Sequence, residues 1–139
     1  MTAMTAMTAT ASTHAALGAV SGTPRRWLRI EGLAVLIAGS GIYLAAGGPW
    51  LLLVPLVLLV DVSMVGYLAG PRVGAAVYNL AHNQATGLLV LGAGAASGVS
   101  PLLLAGAVLV GHSGMDRLAG YGLKYPTAFG DTHLGRIGR

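Results

Sequence analysis

The chain has 139 residues, of which 55% are hydrophobic and only 9% charged, with a formal net charge of +4 and no cysteine. A water-soluble domain typically devotes about a quarter of its residues to charge, so this composition demands lipid as its main solvent. The missing cysteines exclude disulfides, thiolate metal ligands and cysteine nucleophiles. A positive balance without any basic run points to a membrane surface and not to nucleic acid.

Residues 1–24 repeat Met-Thr-Ala three times and continue in Thr, Ala, Ser and Gly, without charge or a periodic apolar face. Such a stretch is predicted to be a disordered tail. Arg25-Arg26-Trp27-Leu28-Arg29 follows it. Twin arginines before an apolar run would suit an export signal cut near Ala45-Ala46-Gly47. The equally hydrophobic remainder, and Glu31 inside the run, favour a retained first helix.

Residues 25–139 then predict an all-α, integral membrane four-helix bundle, with spans at about 28–46, 50–68, 73–96 and 101–118. Each is about 18 to 24 residues, enough to cross a hydrocarbon core of ~30 Å at 1.5 Å per residue. The runs are continuous, not alternating, which argues against barrel strands. Gly47-Gly48-Pro49, Ala69-Gly70-Pro71 and Ser97–Ser100 close the first three spans. Loops this short make neighbouring helices antiparallel. Trp27, Trp50, Tyr67, Tyr121 and Tyr125 fall near the expected interfaces, as belt anchors do.

With four spans, all eight basic residues fall on one side: Arg25, Arg26, Arg29, Arg72, Arg117, Lys124, Arg136 and Arg139. The positive-inside rule therefore predicts both termini in the cytoplasm, and the protein in a bacterial cytoplasmic membrane. Glycines recur at Gly39, Gly41, Gly70, Gly74, Gly87, Gly92, Gly94 and Gly98. They let helices pack closely within one chain, or form the seam of a homo-oligomer.

Polar residues inside the spans gather in the cytoplasmic half. Asp61 lies ~13 Å deep and His82 ~15 Å, by helical rise. His112 and Asp116 are i and i+4 on one face, as are Tyr78 and His82, with Asn79 on an adjoining arc. Ionisable groups in the apolar slab are costly unless paired, so they mark a candidate site. Asp61, His82, His112 and Asp116 form a candidate metal set for a divalent transition metal such as zinc. Among them His82, His112 and Asp116 are the candidate catalytic groups of a hydrolase. His133 is a further possible ligand. The bland alternative is a hydrogen-bonded network that merely satisfies these groups.

The leading reading of the slab is ligand binding, with Arg72, Tyr78, Asn79, Arg117 and Lys124 holding a lipid head group, a small ligand or a partner helix, and the metal-dependent hydrolase is its alternative. Lysine and arginine at such depths also simply snorkel to the interface. A small oligomeric transporter is a third possibility, opposed by the nearly featureless outer halves of the spans. The chain has no phosphate-binding GxxxxGK[ST] and no GxSxG elbow, and Ser63 and Ser113 read as helix serines bonded to their own backbone.

The segments DVSMVGYLAGPRVG from Asp61, YNLAH from Tyr78 and HSGMDRLAGYGLKYPTAFGDTHLG from His112 resemble a family of small bacterial multipass membrane proteins, domain of unknown function 4260. The resemblance runs from about Leu28 to Ile137, and its most specific part is GYGLKYPT…DTHLG. It implies an integral membrane protein of about four helices and no particular activity.

Overall fold

The computed structural model describes residues 18–137, which form five α-helices, one 3₁₀ helix and a short hairpin. Helix α1 spans Gly22–Ala45 and α2 spans Trp50–Leu59. The chain continues from α2 as a 3₁₀ helix over Val60–Ala69. After Gly70, α3 runs over Pro71–His82, α4 over Gln84–Ser97 and α5 over Ser100–Ala119. Strands β1, Asp131–Thr132, and β2, Gly135–Arg136, pair antiparallel beyond α5.

All-helical architecture is therefore as expected, but two spans depart from a plain rod. The second tightens at Val60 into ten residues of 3₁₀ helix, where runs beyond three or four residues are uncommon. Its exposure follows the 3₁₀ period of three. Val62, Val65 and Leu68 point outward, while Asp61, Met64 and Tyr67 are half-buried. The third span, expected at 73–96, is two helices broken at Asn83, whose backbone is extended at φ −90°, ψ 145°.

One side chain closes both ends of that break. Asn83 Oδ1 accepts the Thr86 N–H at 2.8 Å and caps α4, while its Nδ2 donates to the carbonyls of Asn79 (2.7 Å) and Leu80 (3.1 Å) at the end of α3. Asparagine competes with the backbone in this way, which is why it favours helix ends over helix interiors. Asn83→Ala is expected to cost about 2 kcal/mol, the upper range for a lost cap, because both helix ends lose partners. Thermal unfolding in detergent measures it, and Asn83→Asp should recover part of the loss through the retained acceptor.

Helix α5 is the axis of the fold. Its buried face runs from Gly106 to Arg117, between α1 on one side and α4 on the other, while the 3₁₀ helix packs on α3. Glycine makes the two main contacts possible. A Cβ on Gly39 would lie 2.7 Å from Gly111 Cα, and one on Gly114 would lie 2.7 Å from Gly32 O. On the other side Gly94 and Gly106 are equally occluded by the backbones of Leu103 and Leu91. Gly41 and Gly92, by contrast, have open space around them. An apolar core of Tyr43, Val57, Ala107 and Val108 adjoins the polar cluster, Val57 touching both.

Two apolar stretches, Gly22–Ala45 and Trp50–Ala69, are long and apolar enough to cross a membrane. Large apolar side chains including Trp27, Ile37, Trp50, Leu51, Leu58, Val65, Leu80 and Leu89 are exposed on the outer faces. Of the expected 1–24 tail, residues 1–17 lie outside the described residues. Its last part is ordered: Val20 N–H donates to His133 O at 2.8 Å, Tyr125 Oη donates to Gly18 O at 2.9 Å, and α1 begins at Gly22. The C-terminal segment supplies the partners of the Gly18 and Val20 backbone.

Candidate metal centre

Three elements bring the expected metal set together. Asp61 comes from the 3₁₀ helix, His82 from the last residue of α3, and His112 and Asp116 from the buried face of α5. Both imidazoles are fully buried. His82 Nδ1 lies 2.9 Å from Tyr78 O and His112 Nδ1 lies 2.7 Å from Val57 O. A carbonyl only accepts, so Nδ1 carries the proton in each ring and Nε2 of the neutral imidazole is a bare lone pair.

Those two lone pairs converge on carboxylates. His82 Nε2 stands 3.2 Å from Asp61 Oδ1 and 3.9 Å from Asp116 Oδ2. His112 Nε2 stands 3.6 Å from Asp61 Oδ1 and 3.8 Å from Asp116 Oδ1. Donor atoms of Asp61, His82 and His112 all lie within 4.8 Å of one another. Two ligands at 2.0–2.1 Å in a tetrahedral site stand about 3.3–3.4 Å apart, so small adjustments would bring these donors onto one ion. His112 Nε2 has no hydrogen-bond partner although it is buried, an omission that costs free energy unless something fills it. A buried Asp/His/His group that could hold a metal is thus present.

Second contacts orient the set. Tyr78 Oη donates to Asp116 Oδ2 at 2.5 Å, and the Tyr78 ring stacks on His82 at 3.7 Å between centroids. Backbone carbonyls behind imidazoles and a phenol behind a carboxylate are the outer partners that metal ligands usually have. Asp61 is the open side. Its side chain is 35% exposed, next in sequence to outward-facing Val62.

The ligand-binding candidates are engaged within the chain, except for Arg72, which is exposed in the first turn of α3. Asn79 clamps the segment after α5, its Nδ2 donating to Lys124 O at 2.9 Å and its Oδ1 accepting Lys124 N–H at 2.7 Å. Lys124 Nζ donates to Phe129 O at 2.8 Å and lies 3.5 Å from the Phe129 ring centroid and 4.6 Å from that of Tyr78. Burial holds its ammonium below the usual lysine range, against the pull of Asp116 and Asp61. Arg117 donates to Tyr121 O at 3.0 Å and His82 O at 3.4 Å, so it supports the carbonyl freed at the helix break. Tyr67, read from sequence as an interface anchor, packs edge-on against Phe129 at 5.1 Å.

His133 does not join the metal set. Its Nδ1 accepts the Leu123 N–H at 2.8 Å, locking the hairpin to the segment after α5. Burial, with the Arg117 charge second, lowers its pKa below the ordinary 6.5. The unfolded tail then binds more protons than the docked tail as pH falls through that value, so docking is complete above about pH 6.5 and weakens below it. Hydrogen exchange of residues 121–137, corrected for intrinsic rates, should rise between pH 7.5 and 5.5, and His133→Gln should flatten that dependence. Ser113 Oγ donates to Val110 O at 2.9 Å, as expected of a helix serine, whereas Ser63 Oγ, expected to do the same, is buried without a partner on the 3₁₀ helix.

Sequence reasoning missed three contributors. The carbonyls of Val57 and Tyr78 carry no side-chain signal. Asn83 as a double cap was signalled by Asn-x-x-Thr spacing, the usual N-cap pattern, inside an otherwise apolar run.

The class these features define is an all-helical protein with two apolar, membrane-length stretches and a buried Asp/His cluster. The model of the family described as domain of unknown function (DUF4260) matches residues 25–137, and the chain belongs to that family. No curated protein and no solved structure matches it.

Proposed function

We propose that this is a multipass membrane protein built around one divalent transition-metal centre, zinc fitting best, held by Asp61, His82 and His112 with Asp116 beside them. The observation that carries this reading is convergence: two imidazoles pinned through Nδ1 turn their Nε2 atoms onto the same carboxylates, so that neutral rings set acceptor against acceptor. A single cation between them relieves both repulsions at once. With three protein ligands a fourth position stays open, the hallmark of catalytic over structural zinc sites.

A metal there would supply Lewis acidity toward a water or a carbonyl or phosphoryl oxygen. Asp116, hydrogen-bonded by Tyr78, would take the proton, and Lys124 and Arg117 nearby would favour an anionic substrate group. Half-exposed Asp61 beside lipid-facing valines makes a membrane-dissolved substrate the natural one. The reaction class is metal-assisted hydrolysis.

Four crossings are part of the proposal, with α3 and α4 as one broken span, both termini cytoplasmic and the bacterial cytoplasmic membrane as the location. Support comes from the single-sided basic residues and the apolar outer faces. Broken helices in membranes occur where protein re-satisfies the freed backbone, as Asn83 and Arg117 do here. The head-group pocket of Arg72, Tyr78, Asn79, Arg117 and Lys124 has weaker support, because most of its polar atoms have internal partners. Homo-oligomerisation would rest on the outward Gly41 and Gly92, since the other helix glycines serve the monomer's own packing.

Elemental analysis of chain purified in a non-chelating detergent tests the reading. One transition metal per chain, absent from His112→Ala, is the expected result. Metal-free protein that takes up no zinc on titration would leave only the polar network.

A further inference from the structure

A second polar feature adjoins the helix break. A cleft of about 240 Å³ is lined by Leu28 and Glu31 of α1, Asn83 and Gln84 at the break, Arg117 of α5 and Leu123. It is smaller than the roughly 300–1,000 Å³ that receive drug-sized ligands, and suits a polar head of a few heavy atoms.

Its charges are unmatched. Arg117 is only 8% exposed, yet among the described residues no carboxylate oxygen comes within 4.0 Å of it, its partners being two carbonyls. Glu31, exposed on α1, has no cation within 4.0 Å among the described residues. α4 begins at the same cleft, where Asn83 and Gln84 line it. Asn83 takes the Thr86 N–H, leaving those of Gln84 and Ala85 without an intrahelical acceptor, at the positive end of a 14-residue helix. A buried cation, a helix N-terminus and a carboxylate thus line the same cleft. Leu28 and Leu123 supply apolar walls. An anion alone would meet Glu31, and a cation alone would meet Arg117.

We propose that this cleft binds an aminoalkyl phosphate group, its phosphate oxygens on Arg117 and the first turn of α4 and its ammonium on Glu31. The group can belong to a zwitterionic phospholipid or to a free phosphate ester. The cleft is separate from the metal donors, and only the lipid source rests on the membrane reading.

Native mass spectrometry of the full chain in an uncharged detergent tests it, with phosphatidylethanolamine and phosphatidylglycerol of identical acyl chains as probes. Retention of the ethanolamine lipid should exceed that of the glycerol lipid by about tenfold, the worth of one charge-assisted hydrogen bond. Glu31→Gln should bring the ratio near unity, and Glu31→Lys should invert it. Both variants should keep their metal, and His112→Ala should keep the lipid preference, so failure of the metal centre and failure of this site are distinguishable. Displacement of the lipid by free phosphoethanolamine would assign a soluble source as well, and retention against it a lipid source. Equal retention of both lipids by the native chain with no response to free phosphoethanolamine, or a ratio unchanged in Glu31→Gln, overturns the proposal.

Discussion

His112→Ala is expected to lower zinc affinity by roughly 100- to 1,000-fold, since about 10–16 kcal/mol of binding shared over the four ligands of a structural zinc site leaves about 2.5–4 kcal/mol for each. Asp61→Asn should have a comparable effect on affinity and an opposite one on the metal-free fold. The carboxamide places an N–H donor where Asp61 Oδ1 now lies 3.2 Å from His82 Nε2, which gives the neutral imidazole a hydrogen bond without a metal. Tyr78→Phe leaves all donors in place and removes only the phenol behind Asp116, so a 10- to 100-fold loss is expected, typical of an outer partner. Competition titrations with a chromophoric chelator read all three. A purely structural network predicts another pattern: no zinc affinity to lose, and Asp61→Asn destabilising the chain by breaking a buried pair.

Gly39→Leu is expected to cost about 3 kcal/mol or more and to prevent recovery of folded chain, because α1 and α5 touch backbone to backbone there and neither can yield without parting. Gly114→Leu should do the same from the facing helix, since its Cβ would fall 2.9 Å from Leu36 Cα. Gly41→Leu, two residues along on the same helix, meets nothing within 4 Å. It should be neutral, or stabilising by up to about 1 kcal/mol through helix propensity. Fluorescence-detected size exclusion and thermal melts in detergent separate these outcomes. Loss of an oligomer peak in Gly41→Leu with monomer stability intact would assign that face to self-association.

Residue chemistry made much of this arrangement readable in advance. Apolar runs announced helices, because charge is too sparse for any other solvent, and i, i+4 spacing put His112 with Asp116 and Tyr78 with His82. Asp61, His82 and His112 converge as those depths implied. Three features were hidden for definite reasons. An apolar run looks the same at 3.0 and 3.6 residues per turn unless one asks which positions share a face, and Val62, Val65 and Leu68 answer only once exposure is known. The break at Asn83 depends on side-chain bonds to Asn79, Leu80 and Thr86 that outcompete one helical turn. The tail's last residues were assigned disorder from their own composition, whereas their order comes from His133 and Tyr125, more than a hundred residues away.

Zinc K-edge absorption spectroscopy of the purified chain tests the central claim most directly. The expected spectrum is that of a four-coordinate centre with nitrogen and oxygen neighbours at about 2.0–2.1 Å, and outer scattering from two imidazoles that falls to one in His82→Gln. A spectrum without imidazole scattering, or one unchanged in His82→Gln and His112→Gln, would contradict it.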